Sequence, residues 1–185
     1  MTQNDRHLIL WKKMLQGDLA ALEQLYSLFH TDLFHYALKI TEKSELAEDA
    51  VQDIFVDLWN YRSQIKAVKS PKFYLIRSLR NQCIKLLKKQ NRIVEIAVIN
   101  PLDITILPAE LQLKQNEPTI KKRIAEAMTS LSPRQREIIY LKFYNNLDYD
   151  ELAEILELNY QSVVNHIHKA MLKLRKADVL QHFKY

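Results

Sequence analysis

At 185 residues and 48% hydrophobic content, the chain has room for one large core or two small ones. A single glycine, Gly17, excludes glycine-rich phosphate loops and hairpin-rich sheets, and a single cysteine, Cys83, excludes an internal disulfide or a cysteine-based zinc site. The net charge of +5 is unevenly spread: residues 61–90 carry nine Lys/Arg and no Asp/Glu, after an acidic stretch 1–60 with five Lys/Arg against ten Asp/Glu. Residues 91–117 are again acidic and residues 118–185 basic, so two cationic blocks flank an acidic segment and suit two surfaces meeting one long polyanion. Leu, Ile, Ala, Lys, Glu and Gln dominate, which predicts an all-α protein. No apolar run reaches membrane-spanning length and the N-terminus lacks a signal-peptide core, so a cytoplasmic protein without direct membrane insertion is expected.

In chain order, Leu8, Leu10, Trp11, Met14 and Leu15 predict a short amphipathic helix over 7–16, ended by Gly17. Asp18 is placed to cap the next helix, which runs to about Ile40 on a stripe of Leu19, Leu22, Leu25, Tyr26, Phe29, Leu33, Tyr36, Ala37 and Ile40. A break is expected near His30-Thr31-Asp32, where capping residues recur. A third helix over 44–60 turns Ala47, Ala50, Val51, Ile54, Phe55 and Leu58 inward and leaves Asp49, Gln52, Asp53 and Val56 on another face. Early acids suit the helix dipole, and the same outward mixture suits docking on a basic partner helix.

A polar basic loop, 61–70, leads to a fourth helix over 71–90. Its apolar residues are Phe73, Leu75, Ile76, Leu79, Cys83, Leu86 and Leu87; Tyr74, Arg77, Arg80, Asn81, Lys85, Lys88 and Lys89 are expected to form an aromatic and cationic surface for nucleic acid. The helical period dissolves over 91–118, where three prolines punctuate a stretch expected to be a flexible linker. Two small helical domains, 1–90 and 119–185, follow from that division.

The second domain begins with a helix carrying Ile120, Ile124, Met128 and Leu131. Ser132-Pro133-Arg134-Gln135 and Asp148-Tyr149-Asp150-Glu151 each have the cap-and-box pattern that opens a helix. Asn159 can cap a last helix with Val163, Ile167, Ala170 and Leu174 inward and His166, His168, Lys169, Lys173, Arg175 and Lys176 mainly elsewhere. Two helices joined by a tight turn, the second one basic, form a helix-turn-helix pattern. A helical hairpin with a merely solvated basic face is the alternative.

With these residues assembled, the chain resembles a bacterial RNA polymerase sigma factor of the extracytoplasmic-function group, whose members keep sigma domains two and four joined by a linker. The resemblance covers residues 8–176. Ala47 through Phe55 looks like the helix that docks on the polymerase clamp helices, implying that Asp49, Gln52 and Asp53, with Val56 beside them, bind core polymerase. Pro71 through Asn81 looks like the following helix, used in opening and reading the upstream edge of the melted bubble. On that likeness Lys66, Lys69, Arg77, Arg80 and Lys85 engage the downstream promoter element and its non-template strand, and Tyr74 stands beside captured bases. Tyr149 to Arg175 is similar to the upstream-element reader. There Asn159, Gln161, Ser162, Asn165, His166 and Lys169 are candidate contacts, and Lys173, Arg175 and Lys176 phosphate holders. The family commonly has glycine where Asn146 stands, although asparagine tolerates a left-handed turn.

The resemblance implies a transcription initiation factor that is not an enzyme, needs no metal or other cofactor, and meets core polymerase, promoter DNA and an anti-sigma factor. A stand-alone helix-turn-helix regulator is the first alternative and a nucleic-acid enzyme the second. Against the second, the sequence shows no paired-carboxylate, metal or nucleophile cluster beside the basic faces.

Overall fold

The computed structural model describes residues 3–89 and 126–176, and the chain divides into two compact units at Val94 and Glu95. The expected linker over 91–118 and the expected core positions Ile120 and Ile124 lie outside the described residues. Among the described residues every regular element is helical.

In the first unit α1 spans Gln3–Leu15, α2 Leu19–Thr41, α3 Ser44–Asn60 and α4 Pro71–Lys89, with a single 3-10 turn at Arg62–Gln64. Gly17 takes φ +94, a conformation a side chain rarely adopts, and so turns the chain between α1 and α2. Asp18 then caps α2, its carboxylate accepting from the Ala21 N–H at 3.1 Å. The end of α2 is closed by Glu42 in the left-handed region, with its N–H donating to the Leu38 carbonyl.

Helices α2, α3 and α4 pack on one another, and α1 packs mainly against α2. Leu25, Leu33, Tyr36, Ala47, Val51, Leu75 and Leu79 are sealed in the shared core, and Trp11 and Met14 close it from α1. Fully burying a Leu- or Phe-sized side chain contributes about 1.5–3 kcal/mol, so this core outweighs local propensity. Cys83 belongs to it, and burial pushes its thiol pKa up to about 12, which makes it an inert packing residue.

Two expectations are corrected here. Helix α2 is unbroken through His30-Thr31-Asp32, because the His30 and Asp32 side chains are used for tertiary links rather than caps. His30 Nε2 lies 3.2 Å from Glu48 Oε1 of α3, and Lys72 Nζ of α4 donates to Asp32 Oδ2 at 3.2 Å. Leu19 is 53% exposed: as the first helical residue beside the cap, it precedes the stripe that meets the core.

In the second unit residues 126–129 are helical, α5 spans Pro133–Ile139, α6 Tyr149–Leu156 and α7 Tyr160–Lys176. Met128 and Leu131 are buried as expected. Both cap-and-box patterns form in full: Ser132 Oγ accepts from the Gln135 N–H while the Gln135 amide accepts from the Ser132 N–H, and Asp148 and Glu151 reciprocate in the same way. No sequence pattern foretells that α5 widens into a π-helical turn, Tyr140–Tyr144, closed by Asn145 N–H donating to the Tyr140 carbonyl at 3.3 Å. Asn146 follows at φ 56, the left-handed position anticipated for it. Helix α7 packs against both α5 and α6 through Val163, Ile167, Ala170 and Leu174, all buried.

Candidate nucleic-acid and partner interfaces

The outward face of α3 is built by the inward one. Six buried residues at helical spacing fix the helix's rotation, and that leaves Asp49, Gln52, Asp53 and Val56 all exposed, Val56 by 57%. Gln52 Nε2 donates to Glu48 Oε1 at 3.4 Å one turn earlier. Gln82 of α4 donates to Asp53 Oδ2 at 2.6 Å, so one carboxylate oxygen is held in place. Sequence pattern gives no sign of Gln82, since a partner 29 residues away on another helix leaves no local trace. The face is acidic, amide-bearing and apolar at one end.

Of the cationic block, Lys66, Lys69, Arg77, Lys85, Lys88 and Lys89 are exposed. Arg80 is not: it is 3% exposed, and its place as a surface contact is corrected. It falls one turn from Ile76 and one from Cys83, on the buried stripe of α4, where its aliphatic stem packs with the core. Tyr74 is half-buried, its ring edge-on to Trp11 at 5.1 Å, so it is a supported aromatic rather than a free stacking platform. Arg62 lies 4.2 Å from the centre of the Trp59 ring and donates to the Trp59 carbonyl at 2.6 Å, which caps α3 with a cation.

On α7, Asn159 Oδ1 accepts from the Ser162 N–H at 2.7 Å, the capping geometry expected of it. Asn159, Gln161, Asn165 and Lys169 are exposed; Ser162 and His166 are half-buried. Gln161 Nε2 donates to Asn165 Oδ1 at 3.3 Å, which pre-orients the two amides as a pair one turn apart. Lys173 is exposed and already held by hydrogen bonds within its own unit. Its ammonium donates to the Ser130 carbonyl at 2.7 Å and to Gln135 Oε1 at 3.4 Å, satisfying the open backbone before α5.

Burial first, with Arg134 and Lys169 nearby, holds the His166 pKa below the ordinary imidazole range. At neutral pH the helix therefore presents an uncharged imidazole. The unfolded chain takes up the proton first as pH falls through about 6.5, so stability of this unit is lost with acidification, starting there. An NMR titration of the His166 ring should give a midpoint below that of the denatured protein; a higher midpoint contradicts the environment described.

The turn between α6 and α7 is held by Arg134, a residue whose sequence context shows only a cap motif. Its guanidinium donates to the Leu156 carbonyl at the end of α6, and to Glu137 Oε2 at 3.4 Å. Glu157 then takes the left-handed conformation, φ 53, that reverses the chain into α7. The result is a pre-set helix-turn-helix with a polar, partly cationic second helix. No group of three metal-ligating side chains forms among the described residues, and no described helix is long and apolar enough to cross a membrane.

Comparison with known proteins agrees with this geometry in both units. Residues 25–93 match the family model of sigma-70 region 2, and residues 121–174 that of sigma-70 region 4. The chain is 24% identical over 146 residues to the ECF RNA polymerase sigma factor SigM of Bacillus subtilis, covering 77% of this chain and 88% of that protein. It is 20% identical over 171 residues to the ECF RNA polymerase sigma factor SigK of Mycobacterium tuberculosis, covering 90% of each. Among solved structures the fold is similar to CnrH in complex with the cytosolic domain of CnrY, with TM-score 0.60, 22% identity, and 91% and 94% of the two chains covered. It is also similar to the sigma factor RpoE in complex with the anti-sigma factor NepR from Bartonella quintana, with TM-score 0.58, 21% identity, and 86% and 98% covered. The two matched regions stand in the order and on the helices that carry the acidic α3 face and the helix-turn-helix: the chain belongs to the sigma-70 family of transcription initiation factors, in its extracytoplasmic-function group.

Proposed function

We propose that this sigma factor grips a promoter at two points, the first unit binding core RNA polymerase and the downstream element and the second reading the upstream element. The observation that carries this is the opposed character of two neighbouring helices in one unit. Helix α3 exposes Asp49, Asp53 and Val56, while α4 and its preceding loop expose Lys66, Lys69, Arg77 and Lys85. An acidic face repels DNA and suits a basic protein helix; a cationic face does the reverse. Tyr74, supported by Trp11, borders the loop where an unpaired base of the melted strand would lodge. In α7, Gln161 and Asn165 face the major groove, with Asn159, Ser162 and His166 at the same end and Lys169 toward the phosphates. The bond-making chemistry belongs to core polymerase, and the chain acts in the cytoplasm with it. An anti-sigma factor, as seen with the RpoE relative, is the partner proposed to sequester it.

Runoff transcription with core polymerase on a randomised promoter library tests the assignment. Specific initiation that depends on both proteins supports it. Specific, tight binding of duplex DNA by the chain alone would instead support a stand-alone regulator. Within α7, replacing Gln161 or Asn165 by alanine is expected to relax upstream-element specificity by about 1–3 kcal/mol at one base pair, the worth of a bidentate amide–adenine contact. A loss spread uniformly over all sequences would make that residue a positioning contact.

A further inference from the structure

We propose that Tyr160 and Val164 form an apolar reading edge on α7 that recognises the C5-methyl group of a thymine in the upstream element, with Tyr149 and Lys142 positioning Tyr160. This rests on α7 being the upstream-element reader. Tyr160 is the first residue of α7 and 51% exposed, a large side chain left outside the core at the end of the helix that carries the amide pair. It is nonetheless not loose. Its ring centre lies 5.7 Å from that of Tyr149, tilted by 42°, and the Lys142 ammonium sits 4.7 Å from the centre of the Tyr149 ring. Lys142 is itself fixed, donating to the Leu147 carbonyl at 3.0 Å.

The bracing runs in series: the π-helical turn holds Tyr149 at the start of α6, and Tyr149 backs the exposed ring at the start of α7. A ring braced from behind loses little freedom when it is covered, which favours its use in contact. Val164 stands one turn along on the same side of α7 and is half-buried, extending the apolar edge. Gln161 and Asn165, the next positions on each turn, run alongside as a polar edge. In the major groove the methyl group is the feature that only thymine offers to an apolar side chain, while amides serve adenine. An apolar edge beside an amide edge therefore fits a mixed adenine and thymine site.

The test uses the holoenzyme reconstituted with core polymerase and an upstream element enriched from a randomised library. Each thymine in that element is replaced in turn by deoxyuridine, which lacks only the methyl group, and binding is measured. Replacement at one position should weaken wild-type binding roughly fourfold, the worth of one buried methyl-sized group. Tyr160→Ala should bind more weakly and treat thymine and uracil alike. Tyr160→Phe should behave as wild type, because the ring and not the hydroxyl makes the contact. A Tyr160→Phe loss equal to that of Tyr160→Ala, indifference of the wild type to every replacement, or an enriched element without thymine would each overturn the inference. Gln161→Ala separates this failure from that of the underlying assignment. If it relaxes specificity while Tyr160 does not matter, only the methyl contact falls; if neither matters, α7 is not the reader.

Discussion

Replacing Arg134 by alanine should destabilise the helix-turn-helix unit by about 2–3 kcal/mol while leaving the first unit intact. Arg134 does two jobs at once. One nitrogen closes the C-terminal end of α6 by donating to the Leu156 carbonyl, and another faces the carboxylate of Glu137, which is completely buried. Removing one partner of a fully buried ion pair costs about 3–5 kcal/mol. Arg134 itself keeps 28% of its side chain exposed, so water reaches that end of the pair and lowers the cost to about 2–3 kcal/mol. Lysine should not rescue, since one ammonium cannot span two acceptors as a planar fork does. Both tryptophans, Trp11 and Trp59, lie in the first unit, so tryptophan fluorescence follows that unit and far-ultraviolet circular dichroism follows both. Urea unfolding of Arg134→Ala should show an early loss of dichroism with the fluorescence midpoint unmoved. Coincident, unshifted transitions would remove Arg134 from the role given to it. The same variant should lose upstream specificity before it loses polymerase association.

Much of this architecture is legible in the sequence, for physical reasons that differ from helix to helix. Helix α3 is delimited correctly because its six inward residues repeat cleanly and nothing within it competes as a cap. The two capping boxes of the second unit are local, three-residue events, and both form as written. Errors arise where a polar residue is spent on a distant partner. His30 and Asp32 look like cap residues but serve Glu48 and Lys72, so α2 runs on through them. The charge of Arg80 points to the surface, although its spacing from Ile76 and Cys83 puts it on the buried stripe. Periodicity is the better guide there, since a long stem can pack while its head finds partners. At Lys173 the exposed position is legible in the sequence, but the bond to the Ser130 carbonyl, 43 residues away, is not. The π-helical turn leaves no periodic trace, because one inserted residue shifts the phase within a run, Ile138 to Leu141, that is apolar throughout. Tyr160 is hidden as a contact for a related reason: in sequence, an aromatic at a helix start looks like packing.

The largest functional effect is expected from reversing the charge of the α3 face. The double substitution Asp49→Lys and Asp53→Lys should weaken association with core polymerase by about 100-fold or more, since it replaces attraction by like-charge juxtaposition, worth several kcal/mol at an interface. Folding should be spared. Both carboxylates are exposed and beyond the first turn of α3, so they contribute little to the helix dipole, and surface changes of this kind usually stay within about 0.5 kcal/mol. Within the first unit the double reversal breaks the hydrogen bond from Gln82 to Asp53. That bond separates two contributions. Gln82→Ala keeps the charge but releases the carboxylate, and should cost about fivefold or less, the entropy of one unfixed side chain. If Gln82→Ala matched the double reversal, pre-orientation rather than charge would dominate. Salt provides an independent check: wild-type affinity should fall as ionic strength rises, whereas the reversed variant should bind slightly better as screening weakens its repulsion. Val56→Ser, at the apolar end of the same face, should weaken binding with little change in salt dependence, since it removes apolar area from the interface and leaves the charges in place. Association unchanged by the double reversal would assign polymerase docking to another surface and leave α3 as a solvated wall of the first unit.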